Sequence, residues 1–274
     1  AHRTITIVFT LRLLFLLPMI ADQFDLFLLD LDGVLYLEDT PIDASVQAVR
    51  ELVARGKAVR ILTNNPRLPR AMLANRLYRD GVSIDEADIV TSGWAAARFL
   101  KQAGTQRADV VGSAGAIAAL ESESIAVTEE NPDAVIVAAD RSTTYLDLQR
   151  AMRHIEHGAQ FVGTNPDTSY PTPSGRALGA GALIQALEAA TGVHATIVGK
   201  PEPLMFEMAL GEIDPDVRVV MIGDNPDTDI RGAHRAGLPS ILIAPDDESR
   251  SNSEANATLT TLTALFDDAI SLST

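Results

Sequence analysis

The feature that most constrains this chain is a repeated unit: a short, wholly apolar run, a turn rich in Asp, Asn or Thr, then a stretch with helical spacing. Residues 26–29 read Leu-Phe-Leu-Leu, with no position suited to water. A strand apolar on both faces belongs inside a parallel sheet covered by helices. Val46, Val49, Leu52 and Val53 then follow a 3.6-residue period, with Asp43 or Ser45 as the cap and Gly56 at the end. A strand at 58–62 and a helix at 68–79, closed by Gly81, continue the rhythm. It returns later, with strands at 217–222 and 240–244 and helices near 204–210 and 228–236. A polar loop over 246–256 and a terminal helix near 259–270 complete the reading. The expected fold is α/β, a doubly wound and mostly parallel sheet.

Residues 85–181 repeat the pattern with strands near 109–111, 134–139 and 160–163 and helices near 93–101 and 145–157. That length suffices for a smaller α/β domain. Chemistry-bearing turns lie on both sides of it, so it reads as an insert into a core of 23–84 and 182–274. Residues 1–22 form an apolar extension. Its run from Val8 to Ile20 is too short to span a bilayer, and Arg12 interrupts it unfavourably for a secretion signal. A leader, a packed helix and a remnant outside the natural start all stay open, and stable membrane insertion is not expected.

Charge removes several functional classes. The chain carries 22 Lys+Arg against 37 Asp+Glu, a formal net charge of −15. Such a surface repels nucleic acid and anionic lipid. The absence of cysteine excludes disulfides, cysteine-ligated metals and a thiol nucleophile, and fits a cytoplasmic location.

Four turns carry chemistry. Asp30-Leu31-Asp32-Gly33 follows the 26–29 strand; residues two apart in an extended segment face the same way, so both carboxylates can serve one site. Thr63-Asn64-Asn65-Pro66 offers a hydroxyl and amides at a helix start, an arrangement suited to phosphate. Gly199-Lys200-Pro201 sets a lysine between strand and helix. Asp224, Asp227 and Asp229 cluster after 217–222, an oxygen set suited to a hard cation such as Mg²⁺, with Asp227 or Thr228 also available as a helix cap. Each turn alone also fits an ordinary polar cap.

The four in this order resemble the haloacid dehalogenase superfamily of aspartate-nucleophile phosphatases, over residues 23 to the C-terminus. The segments Phe161 to Asp167, Gly179 to Ala182 and Val198 to Phe206 resemble its NagD-like, p-nitrophenylphosphatase-type branch, which carries an α/β cap on a Rossmannoid core. The resemblance implies Asp30 as the nucleophile toward phosphorus and Asp32 as general acid, then base. It implies Mg²⁺ held by the Asp30 carboxylate, the Asp32 carbonyl and the Asp224 carboxylate. Asp229 then orients Lys200 or a water on the ion. Thr63, Asn64 and Asn65 cradle the phosphoryl group and Lys200 offsets its charge. Asp167 and Tyr170 sit on the cap loop facing substrate, although Tyr170 also suits plain packing. The implied substrate is a small phosphorylated metabolite: a nucleoside monophosphate such as UMP, glycerol phosphate or phosphoglycolate, pyridoxal phosphate, a sugar phosphate, or p-nitrophenyl phosphate in vitro. Branch members also self-associate through their caps.

A phosphomutase would ordinarily carry a helical cap between Asp32 and Thr63, where about thirty residues leave no room. A dehalogenase would not need Asp32 and Asp224. A phosphate-responsive regulator would leave the insert unexplained. His154 and His157 share a helix face without a third ligand nearby; His194, His234 and Trp94 read as packing or surface, and Asn256-Ala257-Thr258 as a sequon by pattern only.

Overall fold

The computed structural model describes residues 19–37, 39–172, 175–245 and 254–267. The extension's residues 1–18, most of the loop 246–256 and the end of the expected terminal helix lie outside the described residues.

Leu26–Leu29 lies inside a six-stranded sheet, among the described residues, in the order Ala257–Leu259, Ser240–Ile243, Val219–Gly223, Leu26–Leu29, Ala58–Thr63, Ile89–Thr91. Every neighbour pairing is parallel. The strand's period-two alternation explains why it contains no polar residue. Phe27 and Leu29 join a cluster on one face with Val49, Leu52, Leu73 and Leu77, from the helices Asp43–Ala54 and Arg70–Arg79. Leu26 and Leu28 join a second cluster on the other face, with Ala96 and Leu100 of the Ser92–Gln102 helix and Met205 and Phe206 of Pro203–Leu210.

A second parallel sheet runs in the order Thr196–Ile197, Gln160–Gly163, Ala134–Val137, Arg107–Val111, Ala126–Val127. The helices Tyr145–Glu156 and Ala180–Thr191 pack on it through Ala151, Ile155, Ile184 and Leu187. Its opposite side contributes Ala108, Ile136 and Val162 to the cluster shared with the larger sheet, so one apolar layer joins the two sheets. The strand at 89–91 belongs to the larger sheet and the strand at 196–197 to the smaller one. The seam therefore falls later than an insert of 85–181 would put it on both sides.

Three local expectations are corrected. Ala257–Leu259 is an edge strand that buries Leu259, followed by a 3₁₀ turn at Leu262–Phe266, in place of a terminal helix from 259. Parallel pairing with Ser240–Ile243 rewards an extended conformation there. Helix Asp43–Ala54 starts after Ile42 with no side-chain cap. The turn after Val219–Gly223 is capped by Asn225, whose side chain accepts from the Asp227 N–H at 2.9 Å, and not by Asp227 or Thr228. Among the described residues no helix is long and apolar enough to cross a membrane.

Candidate active site

The larger sheet's chain order runs outward in both directions from Leu26–Leu29, so a crevice opens at the carboxyl ends of Leu26–Leu29 and Val219–Gly223. Asp30 and Asp224 are the first residues beyond those two strands. The Asp30 N–H still donates to the Ile222 carbonyl at 2.9 Å, which fixes the origin of its side chain. Gly33 has φ +83°, and a Cβ there would stand 2.0 Å from an Asp224 carboxylate oxygen; only glycine lets the loop pass.

Lys200 joins the pieces. Its Nζ donates to Asp30 Oδ1 at 2.8 Å, to Asp229 Oδ1 at 2.6 Å and to the Leu62 carbonyl at 2.7 Å, which uses all three of its protons. It is 1% exposed and Asp229 is 0% exposed. A π-helical turn, Pro226–Ile230, swings Asp229 under Gly223, where a Cβ would lie 2.2 Å from its carboxyl group. The second Asp229 oxygen accepts from the Asn225 N–H at 3.1 Å. Asp227 instead turns to solvent and pairs with Arg231.

The Thr63 turn organises the opposite wall. Thr63, buried at the end of Ala58–Thr63, accepts from the Asn65 N–H at 3.1 Å and keeps its hydroxyl hydrogen. Asn65 Nδ2 donates to Asp32 Oδ2 at 3.0 Å. Asn64 accepts from the Lys200 N–H at 2.8 Å and donates to the Lys200 carbonyl at 2.9 Å and to Asp167 Oδ2 at 3.0 Å. Asp30, Asp32, Thr63, Asn64, Asn65, Lys200, Asp224, Asp229 and Asp167 thus converge. Tyr170, on the Ser169–Thr172 arm of the hairpin formed with Gly175–Leu178, reaches the rim, where the Arg67 guanidinium lies 5.9 Å from its ring centroid.

The electrostatics reflect three carboxylates around one cation. Burial raises Asp30 well above the ordinary carboxylate range, with Asp229 and Asp224 adding to the rise and Lys200 opposing it. Asp224 keeps contact with solvent, yet the protein packed around its carboxyl group, and then the Asp229 charge, push it up to about 7. Burial disfavours the Lys200 ammonium, but Asp229 and Asp30 outweigh this and hold it charged. Burial also raises Asp167, against its bond from Asn64. One carboxylate oxygen each from Asp30, Asp224 and Asp229 lie within 4.8 Å of one another. An all-oxygen set with surplus negative charge fits a hard divalent cation.

Two models of haloacid dehalogenase-like hydrolases match, over residues 27–126 and 197–268. The dihydroxyacetone phosphatase of Corynebacterium glutamicum is 35% identical over 219 residues, 79% of this chain and 80% of that protein. The chain belongs to the haloacid dehalogenase-like hydrolases. The ribonucleotide monophosphatase NagD of Escherichia coli is 33% identical, over 78% of this chain and 85% of its own length. The magnesium complex of the glycerol phosphate phosphatase of Mycobacterium tuberculosis superposes with a TM-score of 0.79 at 29% identity, covering 90% of this chain and 78% of that one. This hydrolase is accordingly a phosphatase of the NagD-like branch.

Other contacts of the phosphatase's site were not assigned from its sequence, although Asn165 lies in the Phe161 to Asp167 segment that carries the resemblance. Asn165 Nδ2 donates to the Asn64 carbonyl at 2.8 Å, and Ser92 Oγ donates to the same oxygen at 2.7 Å. Neither differs in composition from an ordinary turn residue. His154 faces Asp109 at 3.8 Å beside the Arg150–Asp109 ion pair and belongs to the packing of the smaller domain. The Arg70 and Arg98 guanidinium groups lie 4.5 and 5.7 Å from the Trp94 ring centroid.

Proposed function

We propose that this phosphatase hydrolyses small phosphomonoesters through an aspartyl-phosphate on Asp30, with Mg²⁺ as its cofactor. The observation that carries the reading is the buried Lys200 between Asp30 and Asp229, in a crevice that also holds Asp32 and Asp224. Asp30 needs a fixed direction and an ionised oxygen, and the Lys200 bond favours both. An Asp30 oxygen attacks phosphorus, the ester P–O bond breaks, and Asp32 gives its proton to the departing alkoxide. Asp32 then takes a proton from a water that attacks the same phosphorus. The P–O bond to Asp30 breaks, releasing inorganic phosphate and regenerating the carboxylate.

Asn65 holds one Asp32 oxygen, leaving the other for these proton transfers. The Thr63 hydroxyl and the Asn64–Asn65 turn suit the phosphoryl oxygens, and Lys200 offsets their charge. Asp229 has both oxygens engaged, by Lys200 and by the Asn225 N–H, which suits an orienting role behind Lys200. The oxygens available to hold Mg²⁺ are then those of the Asp30 and Asp224 carboxylates and the Asp32 carbonyl. Bound there, the ion supplies neutralisation of phosphoryl charge. The magnesium and calcium complexes of the M. tuberculosis relative support a hard divalent cation, of which Mg²⁺ is one.

The test is release of inorganic phosphate from p-nitrophenyl phosphate with Mg²⁺ and with EDTA, for the wild type and Asp30→Asn. Metal-dependent release by the wild type and none by the variant is expected. Turnover in EDTA, or an unimpaired variant, overturns the reading. Transfer to an added alcohol without free phosphate would favour a phosphotransferase.

A further inference from the structure

We infer that Arg67 and Asp140 together form a leaving-group subsite, selecting small neutral alcohols that carry a hydroxyl or carbonyl oxygen beside the ester carbon. The inference rests on the phosphatase reading and deepens it.

The smaller sheet has a switch point of its own. Its chain order reverses between Arg107–Val111 and Ala134–Val137, and at such a point the loops beyond the carboxyl ends of the strands are where ligand-facing groups gather. One loop is Gly112-Ser113 and the other runs from Ala138 to Asp140. The loops approach so closely that a Cβ on Gly112 would lie 2.6 Å from the Ala139 nitrogen, and Ala139 itself has φ +46°. Strained backbone of this kind persists where the surroundings over-determine it.

The first of these loops packs directly on the loop that follows Asn65. Ser113 Oγ donates to the Pro66 carbonyl at 2.7 Å, and the Gly115 N–H donates to the Arg67 carbonyl at 3.0 Å. The Arg67 N–H and Nε both donate to Asn65 Oδ1, at 3.1 and 3.3 Å, and Asn65 in turn binds Asp32. Arg67 is therefore one residue removed from the group assigned to protonate the departing oxygen. Its guanidinium lies over the Tyr170 ring of the smaller domain. Among the described residues, its Nη1 and Nη2 have no hydrogen-bond partner.

Asp140 supplies the complementary acceptor. Its Oδ1 accepts from the Ser142 N–H at 2.9 Å and the Ser142 hydroxyl at 2.7 Å, while Oδ2 has no hydrogen-bond partner among the described residues. The Ser142 bonds, and further down the Arg67 and Arg141 charges, keep Asp140 below the ordinary carboxylate range. The two charges attract without pairing directly. Arg67 offers N–H groups and Asp140 offers lone pairs, and their opposite charges offset one another. Such a pair favours a neutral leaving group whose hydroxyl or carbonyl oxygen beside the ester carbon accepts from Arg67 and whose hydroxyl, the same or a further one, donates to Asp140, and Asp140 disfavours an anionic one.

The experiment compares kcat/KM for glycerol phosphate, dihydroxyacetone phosphate, phosphoglycolate and p-nitrophenyl phosphate in the wild type, Arg67→Met and Asp140→Asn. The wild type is expected to prefer the two neutral-alcohol esters over phosphoglycolate. Both variants are expected to lower the ratio of those esters to p-nitrophenyl phosphate roughly 10- to 100-fold, mainly through KM, as for a lost hydrogen bond to a charged group. Asp140→Asn should also narrow the discrimination against phosphoglycolate. Arg67→Lys should recover part of the ratio. A preference for phosphoglycolate, or a proportional fall on every substrate, overturns the subsite and leaves Arg67 as a support for Asn65. Asp140→Asn decides the matter if Arg67→Met does not fold. A wild type that turns over none of the four esters with Mg²⁺ overturns the phosphatase reading itself.

Discussion

The Lys200 ammonium sits 2.6 Å from Asp229 Oδ1 although the two residues are wholly buried, and this pair ties the π-helical turn to the wall that carries Asp30. A buried ion pair is weak evidence of net stability, but removing one partner leaves an uncompensated charge in a poorly solvated place.

Lys200→Met should therefore destabilise the fold by about 3–5 kcal/mol, measured by denaturant unfolding in EDTA, and should abolish turnover. Lys200→Met with Asp229→Asn removes both charges and should recover much of the stability without the activity. A double variant no more stable than the single one would show that the pair does not carry this cost.

Asp224 links metal binding to pH. Its folded-state value is pushed up to about 7 from an ordinary 3.8, first by burial and then by Asp229. The metal-free fold holds a proton that the unfolded chain releases, so it loses stability as pH rises from about 4 through about 7. A cation competes with that proton. The rise in melting temperature on adding Mg²⁺ should be larger at about pH 8 than at about pH 5.5. Equal increments, or a larger one in acid, would contradict this linkage.

Gly33→Ala tests the close approach of the two loops. The backbone there has φ +83°, and the new methyl would meet an Asp224 oxygen at 2.0 Å. The left-handed conformation alone costs roughly 1–2 kcal/mol for an L side chain. Displacement of Asp224 should add a marked loss of Mg²⁺ affinity in a calorimetric titration. Wild-type affinity in a folded variant would show that the loop yields without moving Asp224.

Much of this arrangement was legible without coordinates, for identifiable reasons. Leu26–Leu29 has no polar residue because helices cover both faces of its sheet, and few other environments in a folded chain tolerate a strand apolar on both sides. Asp30, Thr63 and Asp224 could be picked out because strand ends in open parallel sheets are where ligand-facing groups gather, and those ends are visible as apolar-to-polar boundaries. Ala257–Leu259 was not legible, because three residues show no period and its extended form depends on Ser240–Ile243 beside it. The Asn225 cap was hidden among several competent Asx residues in one turn.

The sequence by itself determined the alternation of elements and the residue types at each strand end, because burial and local backbone preference act over a few neighbouring positions. Only the tertiary structure decided that Lys200 spends its protons on Asp30, Asp229 and the Leu62 carbonyl, that Asp227 faces water while Asp229 is buried, and that Arg67 and Asp140 come from two different sheets to one seam. Those outcomes depend on contacts between residues far apart in the chain, whose distances are set by how the layers pack.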